Sequence, residues 1–168
     1  MDLSRLSPAD AAVTLRGLER RYRALFAGLD EDESPDDLAH RHVAGWSAAE
    51  HVVAATERIA AGHRALRAVL VEDQPRLAAS DVGVDAPPHP AVVAGLLDTL
   101  LAELGREAAA LADRIVSTPS ADWERTGAVA DDAGRAVTAL DVVRAAVDAA
   151  ISHLREAGKT LDAARIAQ

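Results

Sequence analysis

The stretch Gly45-Trp46-Ser47-Ala48-Ala49-Glu50-His51-Val52 marks the start of a long helix, and the rest of the fold can be worked out from it. Glu50 follows Ser47 by three residues, which is the spacing of a capping box. The serine oxygen can accept the Glu50 amide, and the Glu50 carboxylate can reach back to the Ser47 amide. Trp46 precedes the cap and is predicted to pack on the first turn against His51. The stretch therefore predicts a helix with a defined entry angle.

Other helix starts and stops lie on either side of this stretch. Ser7 before Pro8 predicts a start, and Thr138 followed by Asp141 repeats the capping spacing. Gly158 predicts a helix end, because glycine is favoured just after the last turn. Apolar residues recur between these signals at spacings of three and four, which is the pattern of one buried helix face. The sequence therefore predicts four long helices, near 8–28, 48–71, 90–115 and 139–157, and no β-sheet.

The connections between the helices predict their order. About 18 residues separate the second and third helices, and an extended chain of that length reaches on the order of 55–60 Å. That exceeds the length of a 24-residue helix at about 1.5 Å per residue, so the connection can cross the whole bundle. We therefore predict parallel second and third helices in an all-α, up-down-down-up four-helix bundle. A second long connection, 117–137, contains Trp123, which is predicted to pin it onto the bundle.

Composition limits the classes of function. The 168 residues suffice for one domain with a sizeable core, and 49% of them are apolar. The net charge of −9 argues against nucleic acid or an anionic membrane as a partner. The absence of cysteine excludes thiolate ligands and nucleophiles. No apolar run approaches the ~18 residues of a membrane span, and no signal peptide is visible, so we expect a soluble cytoplasmic protein.

One side of the second helix carries only alanine among its apolar residues, and two interpretations of it remain open. The side could line a cavity or a close helix contact, or it could face water. The opposite, bulky side includes His63, which we expect to be packed or to lie at an interface, since its position on the stripe predicts burial. The alanine residues are Ala54, Ala61, Ala65 and Ala68.

Trp46, Ser47 and Glu50 in this order resemble the opening of the second helix in DinB-like (YfiT-like) four-helix proteins. Later in the chain, Trp123-x-Arg125 before a helix resembles the closing pattern of the same family. In that family a histidine eight residues after the tryptophan, together with a His-x-x-x-His pair on the fourth helix, binds a divalent metal. Relatives include mycothiol-dependent maleylpyruvate isomerase-type and thiol S-transferase proteins, and hydrolases.

In this chain the corresponding metal positions are Ala54, Ala149 and His153, so the metal triad is degenerate. Residues four apart share a helix face, which is why two histidines at that spacing converge on one ion. A shift of one residue in the fourth helix would instead select Asp148 and Ser152. Both registers remain open on the sequence alone.

Three functions follow as hypotheses. The first is a protein without the metal that binds a small molecule, including a low-molecular-weight thiol, or a protein partner. Its ligand would meet His153, Glu57, Glu50 and Asp148. The second is a thiol S-transferase or hydrolase that uses zinc or nickel at a reduced site around His153 and Glu57, with these two residues as the catalytic candidates. The third is a structural homodimer. The simplest alternative is that His153 and Glu57 are ordinary half-buried polar residues.

Overall fold

The computed structural model describes residues 5–27, 34, 36, 39–40, 45–82, 96–130 and 134–166. Within these ranges the chain forms five α-helices. They are α1 (Pro8–Arg16), α2 (Leu18–Phe26), α3 (Ala48–Val71), α4 (Leu97–Ser117) and α5 (Ala139–Ile166). The helices α1 and α2 share the segment of the first predicted helix, which is interrupted at Gly17. The prediction of an all-α four-helix bundle is confirmed.

Two of the helix starts follow the predicted capping pattern. At α3 the Glu50 amide donates to the Ser47 hydroxyl at 3.2 Å, and the Ser47 amide donates to the Glu50 carboxylate at 2.6 Å. At α5 the Asp141 amide donates to the Thr138 hydroxyl at 3.1 Å, and the Thr138 amide donates to the Asp141 carboxylate at 3.0 Å. These local hydrogen bonds satisfy amides that the helices themselves cannot pair.

Side-chain contacts give the direction of α3 and α4. Val53 and Glu57, early in α3, line a cleft with Leu100 and Glu103, early in α4. The two helices therefore begin side by side. Further along α3, His63 lies within electrostatic range of Arg114, near the end of α4. These are the contacts of two parallel helices.

The helices α1 and α2 run antiparallel to α4, and α5 runs antiparallel to α3. Arg16 of α1 pairs with Asp113 late in α4, whereas Arg23 of α2 pairs with Asp98 at the start of α4. The α5 helix packs along α3 in the opposite direction. Its contacts there run from Ala146, against Gly62, to His153, against His51.

A small sheet corrects the expectation that the chain has none. The strands β1 (Arg76–Leu77), β2 (Thr126–Val129) and β3 (Ala136–Thr138) pair in the order β1-β2-β3. β1 pairs parallel with β2, and β2 pairs antiparallel with β3. All three strands lie in the two long connections, whose backbone groups must find partners outside the helices. The prediction of no sheet was wrong because the two connections bind each other.

These connections are also anchored by side chains. Trp123 is buried, as predicted, in a 3₁₀ turn at Ser120–Glu124. The Arg125 guanidinium donates to the carbonyl oxygens of Val69 at 2.9 Å and Glu72 at 3.1 Å. The last carbonyls of a helix have no partner within it, so Arg125 serves as the cap of α3.

Three predicted boundaries differ from the structure. The described part of the third helix begins at Leu97, and the predicted start at Pro90 lies outside the described residues. The Leu97 amide donates to the Asp36 carboxylate at 2.6 Å, so a distant residue supplies this cap. Gly158 does not end α5, because Leu161 and Ala164 continue its buried face. The first helix ends at Phe26, and the predicted end at residue 28 is likewise outside the described ranges.

No described helix is long and apolar enough to cross a membrane.

Candidate functional site

Two histidines meet between α3 and α5. His51 lies in the first turn of α3, and its Nδ1 atom is 3.3 Å from the Nδ1 atom of His153 on α5. The ring centres are 5.6 Å apart and the ring planes are tilted by 43°. The line between the ring centres therefore runs almost entirely through the two Nδ1 atoms, and the rings meet nitrogen to nitrogen.

Trp46 covers this pair. Its ring is stacked on His153, with centres 5.8 Å apart and an interplanar angle of 11°. Its ring also contacts His51 at 5.1 Å, tilted by 42°. The predicted packing of Trp46 against His51 is thus confirmed. We call Trp46, His51 and His153 the histidine cluster.

The cluster is partly accessible from solvent. His51 is buried, whereas Trp46 and His153 are half-buried. Burial lowers the pKa of His51, because desolvation disfavours its charged form, and the charges of Glu156 and Glu50 oppose that effect. The hydrogen bond from Lys159 lowers the pKa of Glu156, and the charges of His51 and His153 act in the same direction. Glu156 is therefore the exposed carboxylate beside the pair.

The contact between the two imidazoles determines which of their nitrogens carry hydrogen. In a hydrogen bond between two neutral imidazoles, one Nδ1 carries the hydrogen and the other Nδ1 accepts it. The donating ring then has a bare Nε2, and the accepting ring has a protonated Nε2. A neutral pair of His51 and His153 consequently carries one Nε2 donor and one Nε2 acceptor.

The two alanine positions at which the family resemblance predicts histidines lie close to this pair in the fold. Ala54 is buried one turn after His51, and Ala149 is half-buried one turn before His153. Since α3 and α5 are antiparallel and touch at His51–His153, Ala54 and Ala149 lie on the adjoining parts of the same interface. Their methyl groups supply no lone pair. Among the described residues, no group of three or more histidine, aspartate or glutamate side chains could hold a metal ion. The residues present therefore do not form a metal site with three histidine ligands.

The other predicted site residues differ in their position relative to the histidine cluster, and Glu50 is the one whose charge acts on His51. Glu57 is exposed and lines the cleft of about 130 Å³ between α3 and α4, together with Val53, Thr56, Leu100 and Glu103. Asp148 is exposed on α5 and lies five residues before His153, on a different face of the helix. Glu50 is buried and its carboxylate accepts the Ser47 amide. Glu57 and Asp148 therefore lie on other helix faces than the contact between His51 and His153, and a shared site of these residues stays a prediction.

Sequence reasoning missed two residues of the site. His51 was predicted to contact Trp46, but nothing in the sequence indicated that it would meet His153. Glu156 could have been found, because it follows His153 by three residues and so lies beside it on the helix surface.

No protein-family model matches the chain, and no curated protein matches it. Among solved structures, the chain is similar to YfiT from Bacillus subtilis, described as a probable metal-dependent hydrolase with an unusual four-helix bundle topology. The TM-score is 0.64 at 13% sequence identity, and the match covers 90% of this chain and 86% of that chain. At this identity the likeness supports a YfiT-like fold and leaves the chemistry of this chain open.

Proposed function

We propose that this protein uses the DinB-like, YfiT-like bundle without the three-histidine metal and binds a small ligand at the histidine cluster. The observation that carries the proposal is the contact between His51 and His153 through their Nδ1 atoms at 3.3 Å. Each imidazole uses one nitrogen on the other, whereas a metal ligand directs its lone pair at the ion.

The chemistry of the cluster indicates the kind of ligand. One Nε2 donor and one Nε2 acceptor suit a molecule that carries both a donor and an acceptor, such as a primary amide. Trp46 adds an aromatic surface that is half-buried, and aromatic side chains favour planar partners. A small planar molecule with an amide group therefore fits the site best. A low-molecular-weight thiol or a protein partner remains within the wider hypothesis.

A thermal-shift experiment with benzamide as the probe, and benzoate as an acceptor-only comparison, tests the proposal. A ligand that binds only the folded state raises stability as RT ln(1 + [L]/Kd), so the melting temperature should rise with probe concentration. The rise should be lost in His153→Gln and kept in His63→Gln, which changes a half-buried histidine elsewhere on α3. A rise of equal size in both variants, or none in the unmodified protein, would refute binding of this ligand class at the cluster.

The second candidate is a zinc- or nickel-dependent hydrolase or thiol S-transferase. The fold likeness to a probable metal-dependent hydrolase favours it, and so does the presence of a second imidazole, His51, beside His153. Metal analysis of the purified protein separates it from the first candidate. The third hypothesis, a structural homodimer, has no supporting contact in a single chain and stays a prediction for sedimentation analysis.

A further inference from the structure

Arg67 of α3 and Arg114 of α4 are two exposed arginines at the same level of the groove between these parallel helices. The cleft lower in this groove is lined by Val53, Thr56 and Glu57 of α3 and by Leu100 and Glu103 of α4, so Val53 and Leu100 lie at a similar height in it. Parallel helices keep the same offset as they continue, because both rise by about 1.5 Å per residue. This offset places Arg67 opposite Arg114.

His63 of α3 lies within electrostatic range of both arginines. It precedes Arg67 by one turn on the same face of α3 and is half-buried. Burial lowers the pKa of His63, and the charges of Arg114 and Arg67 lower it further, while Glu107 opposes them. The electrostatic contacts thus place both guanidinium groups beside one imidazole, in agreement with the helix register.

The ordinary structural role of arginine near a helix end does not account for Arg67. Arg114 lies in the last turn of α4, where a cation stabilises the negative end of the helix dipole. The last turn of α3 contains no basic residue, and Arg125 caps its carbonyl groups. Within the described ranges neither Arg67 nor Arg114 has a carboxylate in a salt bridge.

We propose that His63, Arg67 and Arg114 form a binding site for a phosphate-type oxyanion in the groove between α3 and α4. Two guanidinium groups that face each other repel unless an anion lies between them. Each presents a planar fork of N–H donors suited to phosphate oxygens. The site differs from the histidine cluster in position and in charge, and it does not depend on the function of that cluster.

The geometry favours a tetrahedral anion over a carboxylate. The two oxygens of a carboxylate lie in one plane and are satisfied by the fork of a single arginine. A phosphate group carries additional oxygens directed elsewhere, so it can accept from two forks on opposite helices and from His63 at the same time. The charge of such a group also matches two arginines better than a single negative charge does.

Titration calorimetry with inorganic phosphate tests this site, with acetate and chloride at matched ionic strength as comparisons. We expect saturable 1:1 binding of phosphate. Arg67→Gln and Arg114→Gln should each lower the affinity about ten-fold, because each substitution removes charge-assisted hydrogen bonds. Arg21→Gln should leave the affinity unchanged, because Arg21 is exposed on α2. Circular dichroism checks that each variant is folded.

Three results would overturn the site. Phosphate binding that is no stronger than acetate binding would refute the preference of the site for a tetrahedral anion. Binding that survives the double variant Arg67→Gln/Arg114→Gln would place the anion elsewhere. Equal weakening by Arg21→Gln would indicate general charge screening instead of a defined site.

Discussion

Gly62 of α3 faces Ala146 of α5 so closely that a Cβ atom added to Gly62 would lie 2.5 Å from the Ala146 methyl group. The two helix backbones therefore approach at this point with almost no side chain between them. Ala61 and Ala65 on either side of Gly62 are buried. Of the two interpretations of the alanine side of the second helix, close helix contact is the one supported along this part.

Substituting Gly62 tests this close approach. Alanine is a better helix former than glycine by about 1 kcal/mol, yet Gly62→Ala should lower the free energy of unfolding by about 1–3 kcal/mol because the helices must move apart. Gly158→Ala is the matched control, since its Cβ would meet only Leu25 Cδ2 at 3.7 Å. That variant should be neutral or more stable. Urea unfolding measures both, and a stable Gly62→Ala protein would contradict the close packing.

Acid should destabilise the fold through His51. Burial lowers its pKa below the ordinary value of 6.5, so the unfolded chain binds a proton more readily than the folded chain. The stabilisation is complete above pH 6.5 and is lost as the pH falls through that value toward the lower pKa of the folded state. As the pH is lowered from about 7.5 to 5, the unfolding free energy of the His51→Gln variant should therefore fall less than that of the unmodified protein.

Because His63 also has a pKa lowered by burial, His63→Gln is the control for this experiment. It should reduce the pH dependence as well, but it should leave the Trp46 fluorescence unchanged, whereas His51→Gln should alter it through the direct ring contact. An unfolding free energy with the same pH dependence in His51→Gln and the unmodified protein would exclude His51 as the titrating group.

The purified protein should contain far less than one equivalent of zinc or nickel. Ala54 and Ala149 have no lone pairs, whereas catalytic zinc sites use three protein ligands. Mass spectrometry of the native protein measures the content. One equivalent of metal that is lost in His153→Ala would mean that the ion binds despite the missing imidazoles.

Restoring two histidines should create a metal site. In Ala54→His/Ala149→His the new imidazoles and His153 would lie on the adjoining parts of the interface between α3 and α5. The substitutions replace methyl groups at positions that are buried or half-buried, so without metal they should cost about 1–3 kcal/mol of stability. Zinc or nickel should bind 1:1 and raise the melting temperature of this variant alone. A folded double variant without saturable binding would show that the helix register inferred for the metal positions is wrong.

The parts of the fold that sequence predicted well depend on neighbouring residues. The capping boxes at Ser47 and Thr138 need only residues three apart, and the Trp46–His51 contact spans one turn. The residues that cause each of these features lie within a few positions of one another, so a sequence pattern can reveal them.

The parts that were missed depend on tertiary partners. The Asp36 carboxylate caps the helix that begins at Leu97, although it is distant in sequence. His153 of α5 contacts His51 of α3, which is also distant in sequence. Gly158 has the residue type of a helix end, but burial of Leu161 continues the helix beyond it. In each case a contact remote in sequence outweighs a local preference, and no spacing rule indicates which partner will be chosen.

The pairing of β1 with β2 sets an order of events while the chain is being made. Leu77 pairs with Val129, so β1 has no strand to join until the ribosome has released the segment after α4. The carboxyl end of α3 must wait as well, because its capping arginine is residue 125. During translation the carboxyl end of α3 and the strand β1 therefore lack these partners until residues 125–129 have left the exit tunnel.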